Sequence, residues 1–108
     1  MSTDNLNCYE NAIFKQRVVK LFYDLIIIKN LDQSALSGFQ IIKQFKNSYG
    51  FKISAGTVYP ILYRLEREGI LTVEKRNRTK IFSLTQKGKL VANEIDGSVF
   101  KALKQIFN

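Results

Sequence analysis

The sequence predicts a mainly α-helical domain carrying one small β-hairpin, an α+β fold. Two observations carry the prediction. Apolar residues recur at helical spacings along most of the chain, and the period changes to strand-like alternation only between about residues 70 and 84. The length of 108 residues fits one domain. A chain of this size buries roughly two-thirds of its unfolded surface, enough for one modest core.

Residues 1–10 are polar, predict a flexible N-terminal stretch and carry no signal-peptide pattern. Residues 11–29 predict the first helix: Ile13, Val18, Leu21, Leu25 and Ile28 recur at three to five. Phe14, Phe22 and Ile26 widen that face toward burial on two sides or sharing with a second chain. Residues 30–36 predict a polar connection. Ser37-Gly38-Phe39-Gln40 has capping-box spacing and opens a second helix. Phe39, Ile42, Phe45 and Lys46 form its main face, flanked by Ile41 and Tyr49, and Gly50 suits a left-handed C-cap. Phe51-Lys52-Ile53 is a short extended piece. Ser54 is then an N-cap for a third helix with Val58, Ile61, Leu62 and Leu65 on its apolar face, ending at Gly69. Pro60 falls in its second turn, where it removes one donor and predicts a mild bend.

Ile70 to Lys75 and Lys80 to Leu84 read as two strands joined by the polar turn Arg76-Asn77-Arg78-Thr79. Thr85 caps a last helix over residues 86–107. Its Val91, Ile95, Val99, Leu103 and Ile106 are spaced four, four, four and three, close to a heptad seam, with Leu90, Phe100 and Phe107 nearby. Gly97 weakens its middle and permits a close approach.

Charge is concentrated. Seventeen Lys and Arg oppose nine Asp and Glu, for a net +8. Residues 75–89 alone hold Lys75, Arg76, Arg78, Lys80, Lys87 and Lys89 with no acid, a net +6. Such a patch points to a polyanion, nucleic acid before an anionic membrane. A solvated, charged hairpin is the plainer alternative. Other classes are poorly served. Cys8 is the sole cysteine and there is no histidine, which excludes an intramolecular disulfide and the usual general base and zinc ligand. No paired carboxylates or Gly-rich phosphate loop suggest an enzyme, and no cofactor or metal is expected. The longest strictly apolar run, Leu25 to Ile28, is far short of a membrane span.

The order helix, helix, helix, hairpin, helix describes a winged helix-turn-helix over residues 11–84, with a C-terminal dimerisation helix over 85–108. A helix can enter the major groove, where base edges are distinguishable, while a basic hairpin follows the phosphates. Three motifs support this. Residues 56–71, Gly-Thr-Val-Tyr-Pro-Ile-Leu-Tyr-Arg-Leu-Glu-Arg-Glu-Gly-Ile-Leu, resemble the core signature of PadR-type transcriptional regulators. Ser37-Gly38-Phe39-Gln40-Ile41-Ile42 resembles that family's second-helix start, and Phe82-Ser83-Leu84-Thr85-Gln86-Lys87-Gly88 its junction after the wing. The hairpin tip departs from many members in lacking a Gly-rich turn, and the single C-terminal helix resembles the shorter subgroup. The resemblance implies a dimeric repressor on a roughly palindromic operator, with Pro60 inside the recognition helix. It also implies a small aromatic or lipophilic effector at the dimer interface.

On this reading residues 54–69 form the recognition helix and 75–80 the wing. Tyr59 and Tyr63, four apart, share one edge and are candidates for DNA contact, unless one packs against the second helix. Ser54 and Thr57 stand at the helix N-terminus, where free N–H groups favour a phosphate. Arg64 either reads a base or pairs with Glu68 at i+4. Lys75, Arg76, Arg78 and Lys80 are the phosphate candidates of the wing, and Lys52 a weaker one. Lys87 and Lys89 read as a solvated face. The expected protein is a cytoplasmic, nucleoid-associated, sequence-specific regulator of transcription. A nonspecific architectural DNA coat and a winged-helix protein-interaction module are the competing classes.

Overall fold

The computed structural model describes residues 22–50 and 52–107; most of the predicted first helix and Cys8 lie outside this set. Helix α1 spans Tyr23–Gln33 and so runs four residues past its expected end. The reason is Leu31, which extends a buried stripe made by Ile27 and Ile28. Leu25 and Ile26, expected on or beside that stripe, are only partly buried.

Strand β1, Leu36–Ser37, was expected to be part of a connection. It pairs antiparallel with a later strand, so the hairpin becomes a three-stranded sheet. Helix α2, Gly38–Tyr49, opens on the predicted capping box. The Gln40 N–H donates to Ser37 Oγ at 3.1 Å, and the Ser37 N–H donates to Gln40 Oε1 at 2.9 Å. Gly50 closes the helix at φ 69°. Its inner face is Gly38, Ile41 and Phe45, whereas Phe39 is 65% exposed and Ile42 half-buried. The expected face was thus rotated by about one residue.

Helix α3, Ala55–Arg67, starts where predicted, with Pro60 inside it. It ends in a Schellman motif: the Gly69 N–H donates to Glu66 O at 3.0 Å and the Ile70 N–H to Leu65 O at 2.9 Å. Strands β2, Leu71–Arg76, and β3, Thr79–Leu84, pair in register from Leu71↔Leu84 to Arg76↔Thr79. The ladder therefore reaches Arg76 and Thr79, and the turn contracts to Asn77-Arg78. Both residues have positive φ, 48° and 70°, the signature of a two-residue type I′ turn.

Helix α4 spans Gln86–Glu94, capped as predicted by Thr85, whose Oγ1 accepts the Gly88 N–H at 3.0 Å. The expected uninterrupted helix is broken by a π-helical segment, Ile95–Val99, before α5, Phe100–Phe107. The break sits at Gly97, a poor helix former, and a Cβ there would meet nothing within 4 Å beyond its own helix, so the close approach it permits is not made among the described residues. One core joins Ile27, Ile28 and Leu31 of α1, Ile41 and Phe45 of α2, Val58, Leu62 and Leu65 of α3, the sheet residues Leu71, Phe82 and Leu84, and Ala92 of α4. Gly88 is obligatory in this packing. A Cβ there would lie 2.2 Å from the Ile70 carbonyl oxygen, so α4 approaches the α3–β2 junction closer than any side chain allows.

Candidate nucleic-acid interface

Helix α3 buries Val58, Leu62 and Leu65, which turns Thr57, Tyr59 and Tyr63 onto its other faces. Tyr59 is half-buried because its ring lies on the backbone of Gly38. A Cβ at Gly38 would meet Tyr59 ring and hydroxyl atoms at 2.5–2.8 Å. The small residue opening α2 is therefore the seat of a tyrosine on α3. Tyr63 stands 6.0 Å from Tyr59, centroid to centroid, and 6.2 Å from Phe82 of β3. Each Tyr thus packs on a different neighbour, one on α2 and one on the hairpin.

At the start of α3 the side chain of Ser54 caps no backbone N–H. Its hydroxyl pairs instead with that of Thr57 at 3.1 Å, so Ser54 holds the expected N-cap position without the side-chain bond. Ser54, Ala55 and Gly56 are exposed. The first N–H groups of a helix have no intrahelical partner, so this end is electropositive and open.

The hairpin brings its cations together in two ways. Lys75 and Lys80 are directly opposed across β2 and β3. By the strand alternation they share the face of Val73↔Phe82 and Leu71↔Leu84, beyond the edge of the core. Like charges placed opposite each other are destabilising. Lys80 leans back to α3: its Nζ donates to the Tyr63 hydroxyl at 3.2 Å and stands 5.0 Å from that ring's centroid. Arg76 lies on the opposite face and donates to Glu74 Oε2 at 3.0 Å. Arg78, at the tip, is exposed.

Arg64 stands differently from its neighbours in the expected contact set. Its guanidinium donates to both Asp24 carboxylate oxygens, at 2.7 and 2.8 Å, and to Glu68 Oε1 at 3.0 Å. The Asp24 hydrogen bonds, more than the partly opposing burial, raise the Arg64 pKa above its ordinary value. The structure thus favours the pairing alternative and adds a partner on α1. Lys87, expected on a solvated face, donates to the Glu68 carbonyl at 2.8 Å and closes the end of α3.

Two cations were not read as site residues from the sequence: Lys43 was not singled out, and Lys46, expected on the main face of the second helix, is exposed instead. Lys43 and Lys46 of α2 join Lys52 around a shallow cleft of about 270 Å³ floored by Ile42 and Ile53. The available signal was a long stretch without acids: no Asp or Glu lies between Asp32 and Glu66.

The predicted C-terminal seam is divided. Val91 and Ile95 pack partly against their own core. Leu103 is half-buried, while Ile106 and Phe107 are 72% and 76% exposed. The side chain of Val99 lies outside the described set. No helix among the described residues is long and apolar enough to cross a membrane.

Residues 27–94 match the transcriptional regulator PadR-like family, and the chain belongs to that family. Over 85 residues it is 27% identical to the transcriptional activator GvpE1 of Halobacterium salinarum, covering 79% of this chain and 42% of that one. A PadR family transcription regulator from Clostridium difficile R20291 is 26% identical and superposes with a TM-score of 0.72, over 81% of this chain and 95% of that one. Bacillus subtilis PadR, solved in complex with operator DNA, is 27% identical with a TM-score of 0.61, over 66% of this chain and 44% of that one. The chain spans about half the length of the curated relatives it matches. The winged-helix architecture read from the sequence is thus the architecture of known regulators.

Proposed function

We propose that this chain regulates transcription by binding operator DNA as a homodimer, with α3 in the major groove and the β2–β3 wing on the phosphate backbone. The observation that carries the reading is the Lys75–Lys80 pair, two like charges held opposite each other on the side of the hairpin that meets α3. Such a pair costs stability in the free protein and is offset when a polyanion lies across it. The family membership and the operator complex of the Bacillus subtilis relative support the same partner.

Within this reading Thr57, Tyr59 and Tyr63 face base edges or the groove wall, and Ser54 with the open first turn of α3 receives a phosphate. Lys75, Lys80, Arg78 and Lys52 engage the backbone, with Arg76 joining them when it leaves Glu74. Arg64 holds α3 on α1 rather than reading DNA. The dimer forms through α5, whose Leu103, Ile106 and Phe107 supply the apolar surface. An aromatic or lipophilic effector at that interface would act by changing the separation of the two recognition helices. We read the regulator as a repressor in the cytoplasm, because a dimer seated on an operator blocks access to the duplex by occupancy alone. It has no catalytic step.

The test is salt-dependent binding to a duplex selected from a random pool. Lys75→Ala with Lys80→Ala should weaken selected and random duplexes alike and reduce the salt slope by nearly two counterions, at about 0.9 for each phosphate contact. An unchanged slope would make the wing a solvated loop. Equal affinity of the wild type for selected and random duplexes would favour the architectural coat.

A further inference from the structure

We infer that Lys43 and Lys46 of α2, with Lys52, form a second phosphate-gripping surface that engages the duplex outside the segment covered by α3 and the wing. The inference rests on the DNA-binding reading above and extends its footprint.

Three observations converge. The three lysines line one cleft although they come from α2 and from the segment that follows it. None of the three forms an ion pair among the described residues, whereas Arg64, the other cation of the acid-free stretch between Asp32 and Glu66, is held by Asp24 and Glu68. Among the described residues this stretch thus neutralises the one cation that ties α3 to α1 and leaves its other three without an ion pair. Crowding like charges without an acid gains nothing for folding. Lys43 also stands 5.6 Å from the exposed Phe39 ring centroid, which steadies its stem without neutralising its charge.

The cleft suits a phosphate backbone better than an acidic peptide. Its floor is shallow, with Ile53 buried in the core and Ile42 half-buried. Lysine methylenes cover such a floor while the ammonium groups stay in solvent, so no deep pocket awaits an apolar side chain. Flexible point charges fit phosphates along a strand. The cleft is also continuous with the proposed interface: Lys52-Ile53-Ser54 leads directly into the first turn of α3. A duplex seated on that turn continues past Lys52 toward Lys46 and Lys43.

The experiment compares the wild type with Lys43→Gln/Lys46→Gln by fluorescence anisotropy across a salt series. The probes are a selected site within a duplex about 40 base pairs long and the same site trimmed to its contacted core. On the long duplex the double variant should lose about 1.8 from the salt slope, roughly 0.9 for each lysine. On the trimmed duplex the two proteins should differ little, and Lys43→Arg/Lys46→Arg should restore the wild-type slope. Both lysines are exposed, so circular dichroism should report an unchanged fold. A wild-type slope from the Gln variant on the long duplex overturns the inference and leaves the DNA reading standing. Loss of transcriptional control with an unchanged slope also overturns it, in favour of a protein partner. Failure of the wild type to bind any duplex overturns both.

Discussion

Gly38 and Tyr59 are 21 positions apart, yet each explains the other. The tyrosine ring needs a bare backbone at the start of α2, and only glycine supplies it. Gly38→Ala should therefore displace Tyr59, cost about 1–3 kcal/mol in thermal or urea unfolding, and alter the preferred DNA sequence more than the affinity for random duplex. Gly88→Ala should cost more, because its new Cβ meets the Ile70 carbonyl, which cannot swing aside as a ring can. Arg78 has the opposite character. Its φ of 70° is a conformation glycine adopts freely and arginine does not. Arg78→Gly should raise unfolding stability by up to about 1 kcal/mol while lowering the salt slope of DNA binding by roughly 0.9. A stability gain with no change in slope would show that the tip has no contact with the duplex.

Among the elements, those ruled by local chemistry were legible in the sequence. Ser37 and Gln40 announced α2, Thr85 announced α4, and Val58 and Leu62 placed α3 around Pro60 despite the rule that proline begins a helix. What escaped depends on distant partners. Strand β1 has two residues and exists only because Phe82 and Ile81 of β3 pair with it. The Asp24 that claims Arg64 lies 40 positions away. The cations of the wing were visible as a charge run, whereas Lys43 and Lys46 come together with Lys52 only when α2 packs beside the segment carrying it. The π segment was also unreadable as such, although it accounts for the spacing of the C-terminal stripe. In an α-helix, residues four apart drift by about 40°, so successive steps of four carry a stripe around the axis. The wider turn at Ile95–Val99 takes up that drift and returns Leu103 toward the side of Ile95. Inserting one alanine between Val99 and Phe100 should rotate α5 by about 100° against α4. The variant should keep its thermal stability within roughly 1 kcal/mol but lose operator affinity, read by anisotropy, because its two recognition helices no longer match the groove spacing. Unaltered affinity would separate α5 from dimer geometry.

At the scale of the whole molecule, the division of labour runs through α1. Its Asp24 holds α3 and its Lys29 pairs with Asp96 of the π segment, so one helix connects α3 with the segment that leads to α5. Folding α4 onto the core while α5 leaves Ile106 and Phe107 exposed gives an apolar arm with no cover among the described residues. Ile106→Asp with Phe107→Ser should therefore yield folded monomers by light scattering, with weak, sequence-indifferent DNA binding. The reading of α3 and the wing as a DNA-binding surface doubled by that arm is tested most directly by selecting sites from a random duplex pool at fixed salt. The account predicts enrichment of two similar, inverted half-sites with centres about one helical turn, roughly 34 Å, apart or a multiple of it. Recovery of a single unpaired half-site would contradict the dimer, and recovery of no preferred sequence would contradict the recognition role of α3.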